Sequence, residues 1–165
     1  MVRSLVPLTV LILVMVWLYR PSTPDPVTTV DPAGDVFYAA SLASFTVLAP
    51  SGLPTGWRPT SARVDPAEQG GPVGLSIGYV TPQGRFAQFV HSSVPVEALL
   101  GDVLGKGYTQ VGETEIAGQG WQEMRSARDE PALVRSADGA IVVITGSASD
   151  AELRALVAAL RPAPG

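Results

Sequence analysis

The chain has a single histidine, His91, followed at once by Ser92 and Ser93. An imidazole beside a hydroxyl is the beginning of a nucleophilic pair. Acyl transfer also needs an acid to orient the imidazole and donors for the oxyanion, and the sequence places neither. With one His and no Cys, a zinc site would have to rest on carboxylates, away from the usual nitrogen and sulfur ligands. Glu113 and Glu115 lie two apart in a strand-like stretch, so both point to one side, and the turn at Gly118-Gln119-Gly120 sets Glu123 across from them. Facing carboxylates can cleave glycosidic bonds or hold calcium. On a solvated sheet face they are surface charge, which is the expectation here. Arg125, Arg128 and Arg135 are interleaved with Glu123, Asp129 and Glu130, a pattern that predicts a salt-bridged edge rather than an anion site. Gly70-Gly71-Pro72-x-Gly74 and Gly105-Lys106-Gly107 lack the spacing that aims backbone amides at a phosphate. They are read as turns, and no catalytic, metal or cofactor residues are expected.

Two tryptophans remain. Trp57 and Trp121 each follow a glycine at the start of a strand. A tryptophan so placed closes one end of a core or lines the mouth of a pocket between sheet and helices. They are the candidate ligand-binding residues. Tyr79, Phe86 and Phe89 are expected in the core.

The elements that must position these residues are mostly strands. Val73, Leu75, Ile77 and Tyr79 alternate with smaller or polar residues at a period of two, and Pro82-Gln83-Gly84 turns the chain into Phe86–His91. Val96, Leu99, Leu100, Val103 and Leu104 form one stripe of a helix that opens at Pro95 and closes at Gly105. Tyr108–Ile116, Trp121–Ser126, Leu133–Ala137 and Ala140–Thr145 follow as strands, with Asp138-Gly139 as a hairpin signal. Ala140–Ile144 has no polar face and predicts a central strand. Ser149 and Glu152 make a capping box before a second striped helix that runs to Pro162. A weaker pattern over Val36–Ala43 suggests a short amphipathic helix. Both halves thus read strand, strand, strand, helix, consistent either with two pseudo-repeated βββα units or with an ordinary antiparallel sheet carrying helices on one face. The fold class is α+β in both cases.

Ahead of this domain, Leu5–Tyr19 is an apolar run of fifteen residues interrupted by Pro7 and Thr9. As a helix it would extend about 22 Å, short against a hydrocarbon core of roughly 30 Å. No small-x-small cleavage site follows it. It reads as an uncleaved transmembrane signal anchor over residues 1–20 that contacts the membrane through residues 4–19, with Arg3, Trp17, Tyr19 and Arg20 at the interfaces. Pro21–Pro32 holds four prolines and is expected to be an extended linker over residues 21–33. Residues 34–165 would form one extracytoplasmic domain. Lys+Arg total 11 against 15 Asp+Glu, and the domain beyond the anchor is more acidic still, which argues against nucleic acid as a partner. Absence of cysteine means an exported fold held by burial alone.

Gly52-Leu53-Pro54-x-Gly56-Trp57-Arg58-Pro59-Thr60-Ser61, then Gly78-Tyr79-Val80-Thr81-Pro82-x-Gly84, then Gly120-Trp121 and Gly146-Ser147-Ala148-Ser149 before a Leu-rich helix resemble the actinobacterial membrane-anchored proteins grouped as domain of unknown function 4245 (DUF4245). The Leu-Pro-x-Gly-Trp opening is also similar in shape to Mog1/PsbP-like sandwiches. The first resemblance implies a single-pass protein of the cell membrane and supplies no activity. Together with the residues, it leads to the expectation of a non-catalytic binding or scaffold protein of the cell envelope with an envelope protein as partner. A carrier or sensor of a small apolar or lipid ligand is the alternative.

Overall fold

The computed structural model describes residues 28–65 and 71–164. The apolar run Leu5–Tyr19 lies outside the described residues, and no helix among them is long and apolar enough to cross a membrane. Helix α1 spans Ala33–Leu42, and a short strand β1, Leu48–Pro50, follows. Strands β2 (Arg58–Asp65), β3 (Gly74–Val80) and β4 (Phe86–Ser92) lead into helix α2, Val96–Val103. Strands β5 (Thr109–Ile116), β6 (Gln119–Arg125), β7 (Pro131–Ala137) and β8 (Ala140–Thr145) lead into helix α3, Asp150–Ala158, and a last strand β9, Leu160–Pro162. Seven strands make one antiparallel sheet in the order β2-β3-β4-β8-β7-β6-β5, while β1 and β9 pair as a separate ribbon.

Strand β8 sits at the middle of the seven with every residue buried, as its unbroken apolar run requires. Its hairpin with β7 turns on Asp138 (φ 54°) and Gly139 (φ 77°), the pair of left-handed residues that a two-residue turn between right-twisted strands needs. One register row runs Ala62–Ile77–Phe89–Ile144–Leu133–Glu123–Gly112. The neighbouring row, Ser76–Val90–Val143–Val134–Gln122, points to the other side. The first face, here the front, packs under α1, α3 and the ribbon around Leu75, Ile77, Phe89, Leu133, Ile144, Leu153 and Leu156. The second face, the back, is covered only by α2, through Leu99, Leu100 and Leu104 on Val90, Val134 and Val143. Each such side chain contributes about 1.5–3 kcal/mol when fully buried.

The helices therefore lie on opposite faces, not on one. A tandem βββα repeat joined at the antiparallel β4–β8 pair would be related by a two-fold axis perpendicular to the sheet, which leaves each face on its own side. The strand order is compatible with that axis, and the placement of α2 and α3 breaks it. Three local expectations are also corrected. The last helix ends at Ala158, and Leu160–Pro162 pairs with β1. Phe86 is 44% exposed on the back face, because it differs in parity from Phe89 along the strand. Helix α1 is not amphipathic: Val36 and Ala39 face inward, yet Phe37, Tyr38 and Leu42 face solvent.

The front face is fastened at two points. The Leu48 backbone N–H donates to His91 Nδ1 at 3.0 Å, so the ribbon is tied to the sheet through a buried imidazole. At the start of α3, Glu152 accepts from the Ser149 N–H at 2.9 Å and the Ser149 hydroxyl at 2.8 Å, and the Glu152 N–H returns to Ser149 Oγ at 3.4 Å. The expected capping box is present. The side-chain amide of Gln83 also donates to this carboxylate, which fastens the β3–β4 turn to the helix.

Candidate functional site

The structure distributes the residues flagged by the sequence rather than gathering them. His91 is on the front face, where Nδ1 accepts from Leu48 and the Phe45 ring meets the imidazole edge-on at 4.9 Å. Burial pushes its pKa down to about 4, against a smaller opposing effect of the Leu48 bond. It is a neutral acceptor at physiological pH. Ser92, its neighbour in the strand, points to the back face and is committed there, donating to the Val73 carbonyl at 3.1 Å. Ser93 Oγ accepts from the Val73 N–H at 3.0 Å. No serine–histidine pair forms at this point, since adjacent residues of a strand point to opposite faces.

The carboxylates separate for a related reason. Glu113 pairs with Gln122 and Glu115 with Gly120 on the back face, whereas Glu123 pairs with Gly112 on the front. The two-residue turn that pairs Ile116 with Gln119 sets these faces, and the bulge at Val111 shifts the register only on the N-terminal side of Gly112. Glu123 is instead held by Arg154 of α3 at 2.7 Å, and the same guanidinium bonds Asp150 at 2.7 Å and Thr114 Oγ1 at 3.0 Å. The Asp150 hydrogen bond, opposed by desolvation, raises the Arg154 pKa further. The expected salt-bridged edge in the β6–β7 hairpin is replaced by this helix-to-sheet clamp. Arg125 donates to the Asp129 carbonyl at 3.1 Å, and Arg128 lies in the turn seven residues before Arg135, which pairs with Val142. Among the described residues no group of three or more His, Asp or Glu is placed to hold a metal.

Glu152 is a buried carboxylate that sequence analysis noted only as a cap. Desolvation raises its pKa, but hydrogen bonds from Thr81, Ser149 and Gln83 outweigh that and hold it below its ordinary range. Its acceptor capacity is taken up by the fold.

Trp57 and Trp121 both belong to the front-face core. Trp57 is half-buried with its ring edge-on to Tyr79 at 6.0 Å. Trp121 is buried, and its Nε1–H has no partner. Tyr79 on β3 and Trp121 on β6 are four strands apart, ~19 Å at ~4.8 Å per strand. The two rings do not share one pocket mouth.

One cavity lies on the back face, where α2 is too short to cover the β2–β3–β4 side of the sheet. It is an open cleft of about 610 Å³. Its floor includes Ser76, Phe86, Gln88 and Val90, and its walls are α2 and the β6–β7 turn. The Ala127 N–H donates to the Leu104 carbonyl at 2.8 Å, fixing that turn against the end of α2. Across the floor the Gln88 amide donates to Ser76 Oγ at 3.1 Å. Gly78 keeps the floor flat: a Cβ there would come 2.6 Å from Ser61 Oγ and 3.2 Å from the Phe86 ring. Around the rim lie Arg63, Asp65, Asp102, Arg128 and Glu130, and Arg63 pairs with Asp65 at 2.9 Å. A rim of both signs cannot concentrate an ion of one charge. It suits an extended chain that offers polar backbone groups and mixed side chains. The sequence signal for this site was the even parity of Ser76, Phe86 and Gln88, opposite to the core residues beside them.

No curated protein matches the chain. The family described as a protein of unknown function (DUF4245) matches residues 1–160, which spans the domain from α1 through α3 to the first residue of β9. The chain belongs to this family.

Proposed function

We propose that this chain is a membrane-anchored, extracytoplasmic binding or scaffold protein of the actinobacterial cell envelope, non-catalytic, with a polypeptide partner in the back-face cleft. In this reading Leu5–Tyr19 is the anchor and the bulk of the chain lies outside the cytoplasm. The observation that favours it is the contrast between a filled interior and an open cleft. Seven of the largest side chains on the front face are wholly buried, while the back face offers a cleft with a rim of both charges. Strand β5 and, beyond the Val30 bond to Pro59, strand β2 are also edges with no further strand paired to them among the described residues, to which an extended segment can add. A carrier of an apolar or lipid ligand would need an enclosed apolar cavity, and the cleft is neither enclosed nor apolar.

A photoreactive side chain at Ser76, in the full chain in its native membrane, tests the cleft. The expected product is one discrete protein adduct, lost on Arg63→Glu. An adduct with lipid alone would support the carrier instead. A reporter fused after Gly165 that works only in the cytoplasm would overturn the exported topology.

A further inference from the structure

Helix α1 carries an outward face that none of the described residues covers. Phe37 is 60%, Tyr38 49% and Leu42 41% exposed. At 100° per residue these three, with Gly34 and Ser41, occupy one continuous arc opposite Val36 and Ala39. The arc holds no charge, and Asp35 stands at its border. A helix on a solvated surface ordinarily sets polar residues there, and one that is apolar all round is covered by something.

The chain itself indicates what lies beside it. The Val30 N–H donates to the Pro59 carbonyl at 3.0 Å, so the last residues of the Pro-rich segment are already fastened to the edge of β2. That leaves residues 21–27 between Arg20 and the first described residue, a reach of about 25 Å at most at ~3.1 Å per residue. Helix α1, which starts three residues after Val30, is the described element nearest to Leu5–Tyr19 along the chain. A lipid surface held within that reach is always at high effective concentration, which a diffusing partner is not. The side chains fit it: Phe and Tyr beside Leu suit the boundary between headgroups and acyl chains. No Lys or Arg occurs between Pro21 and Trp57, so the contact would be apolar rather than electrostatic.

We propose that the Phe37–Tyr38–Leu42 face of α1 rests on the membrane interface, which fixes the orientation of the domain relative to the bilayer. This rests on the anchored reading given above, and the test separates the two. The chain has no cysteine, so one introduced thiol carries one label. Full-length Tyr38→Cys, with an environment-sensitive fluorophore, is reconstituted in phosphatidylcholine vesicles containing headgroup spin-labelled lipid. Ala151→Cys on α3 serves as the control. The expected result is several-fold stronger quenching at position 38 than at 151, unchanged by added salt and abolished by Phe37→Glu together with Leu42→Glu while the protein still floats with the vesicles. Equal quenching at the two positions in floating protein would overturn the α1 contact alone. Failure to float would overturn the anchor, and the contact with it. A position-38 signal that disappears when labelled chains are diluted with unlabelled chain would assign the face to a second copy and overturn the lipid contact.

Discussion

The two faces of the sheet differ in what they are free to do. The front face is closed by α1, α3 and the β1–β9 ribbon, and three of its polar side chains are spoken for: His91 by Leu48, Glu152 by Ser149, Thr81 and Gln83, and Glu123 by Arg154. The back face has one eight-residue helix, so about half of it stays open, with Ser76, Phe86 and Gln88 on its floor. Helix number and length decide which part of the sheet this fold leaves open. Within one strand the contrast is three residues wide: Phe89 is wholly buried and Phe86 is 44% exposed.

That contrast is open to direct attack. Phe89→Ala should cost about 3–5 kcal/mol in denaturant unfolding, through the cavity it leaves. Phe86→Ala should cost about 1 kcal/mol, because roughly half of that side chain is already in water. Equal costs would erase the distinction between the faces. A smaller effect comes from acid. The folded pKa of His91 is about 4, below the ordinary 6.5, so between these values the unfolded chain binds more proton than the folded one. Stability should therefore be full above pH 6.5, fall by about 3 kcal/mol on the way to pH 4, and level off below. The difference between wild-type and His91→Gln unfolding curves isolates this slope, and parallel curves would place His91 in water. Ser149→Ala should lower stability by about 1 kcal/mol through loss of the cap, read as a fall in Tm. Smallest of all, Ser76→Trp on the cleft floor should change stability by no more than about 0.5 kcal/mol while suppressing the adduct formed from a photoreactive group at Gln88. A large loss of stability would mean that the back face is as tightly packed as the front.

Much of the scaffold was legible because it depends on local rules. The unbroken apolar run of β8, the Asp138-Gly139 turn and the Ser149–Glu152 box each act within a few residues, and each is found where expected. What depended on parity across strands was not legible. The turn after Ile116 pairs Ile116 with Gln119 and so sets Glu123 on the face opposite Glu113 and Glu115, and a shift of one residue in pairing leaves no mark on composition. Phe37 and Leu42 were assigned inward because apolar residues usually are, yet the inward arc of α1 is filled by the small Val36 and Ala39. The parity of Ser76, Phe86 and Gln88 marked the floor of the cleft, but not its walls, which exist only because α2 crosses to the face that α3 leaves bare.

The bond from Val30 to the Pro59 carbonyl has a mechanical meaning. Strand β2 has a sheet partner on one side only, and the N-terminal residues are fastened to that strand. A pull arriving along the N-terminus would load this outermost strand first, four places from β7 and three from the central β8. Strain would fall first on β2, which carries Arg63 and Asp65 of the cleft rim, and next on β3 and β4, which form its floor, before it reached β8. The tether and the cleft share one edge of the domain.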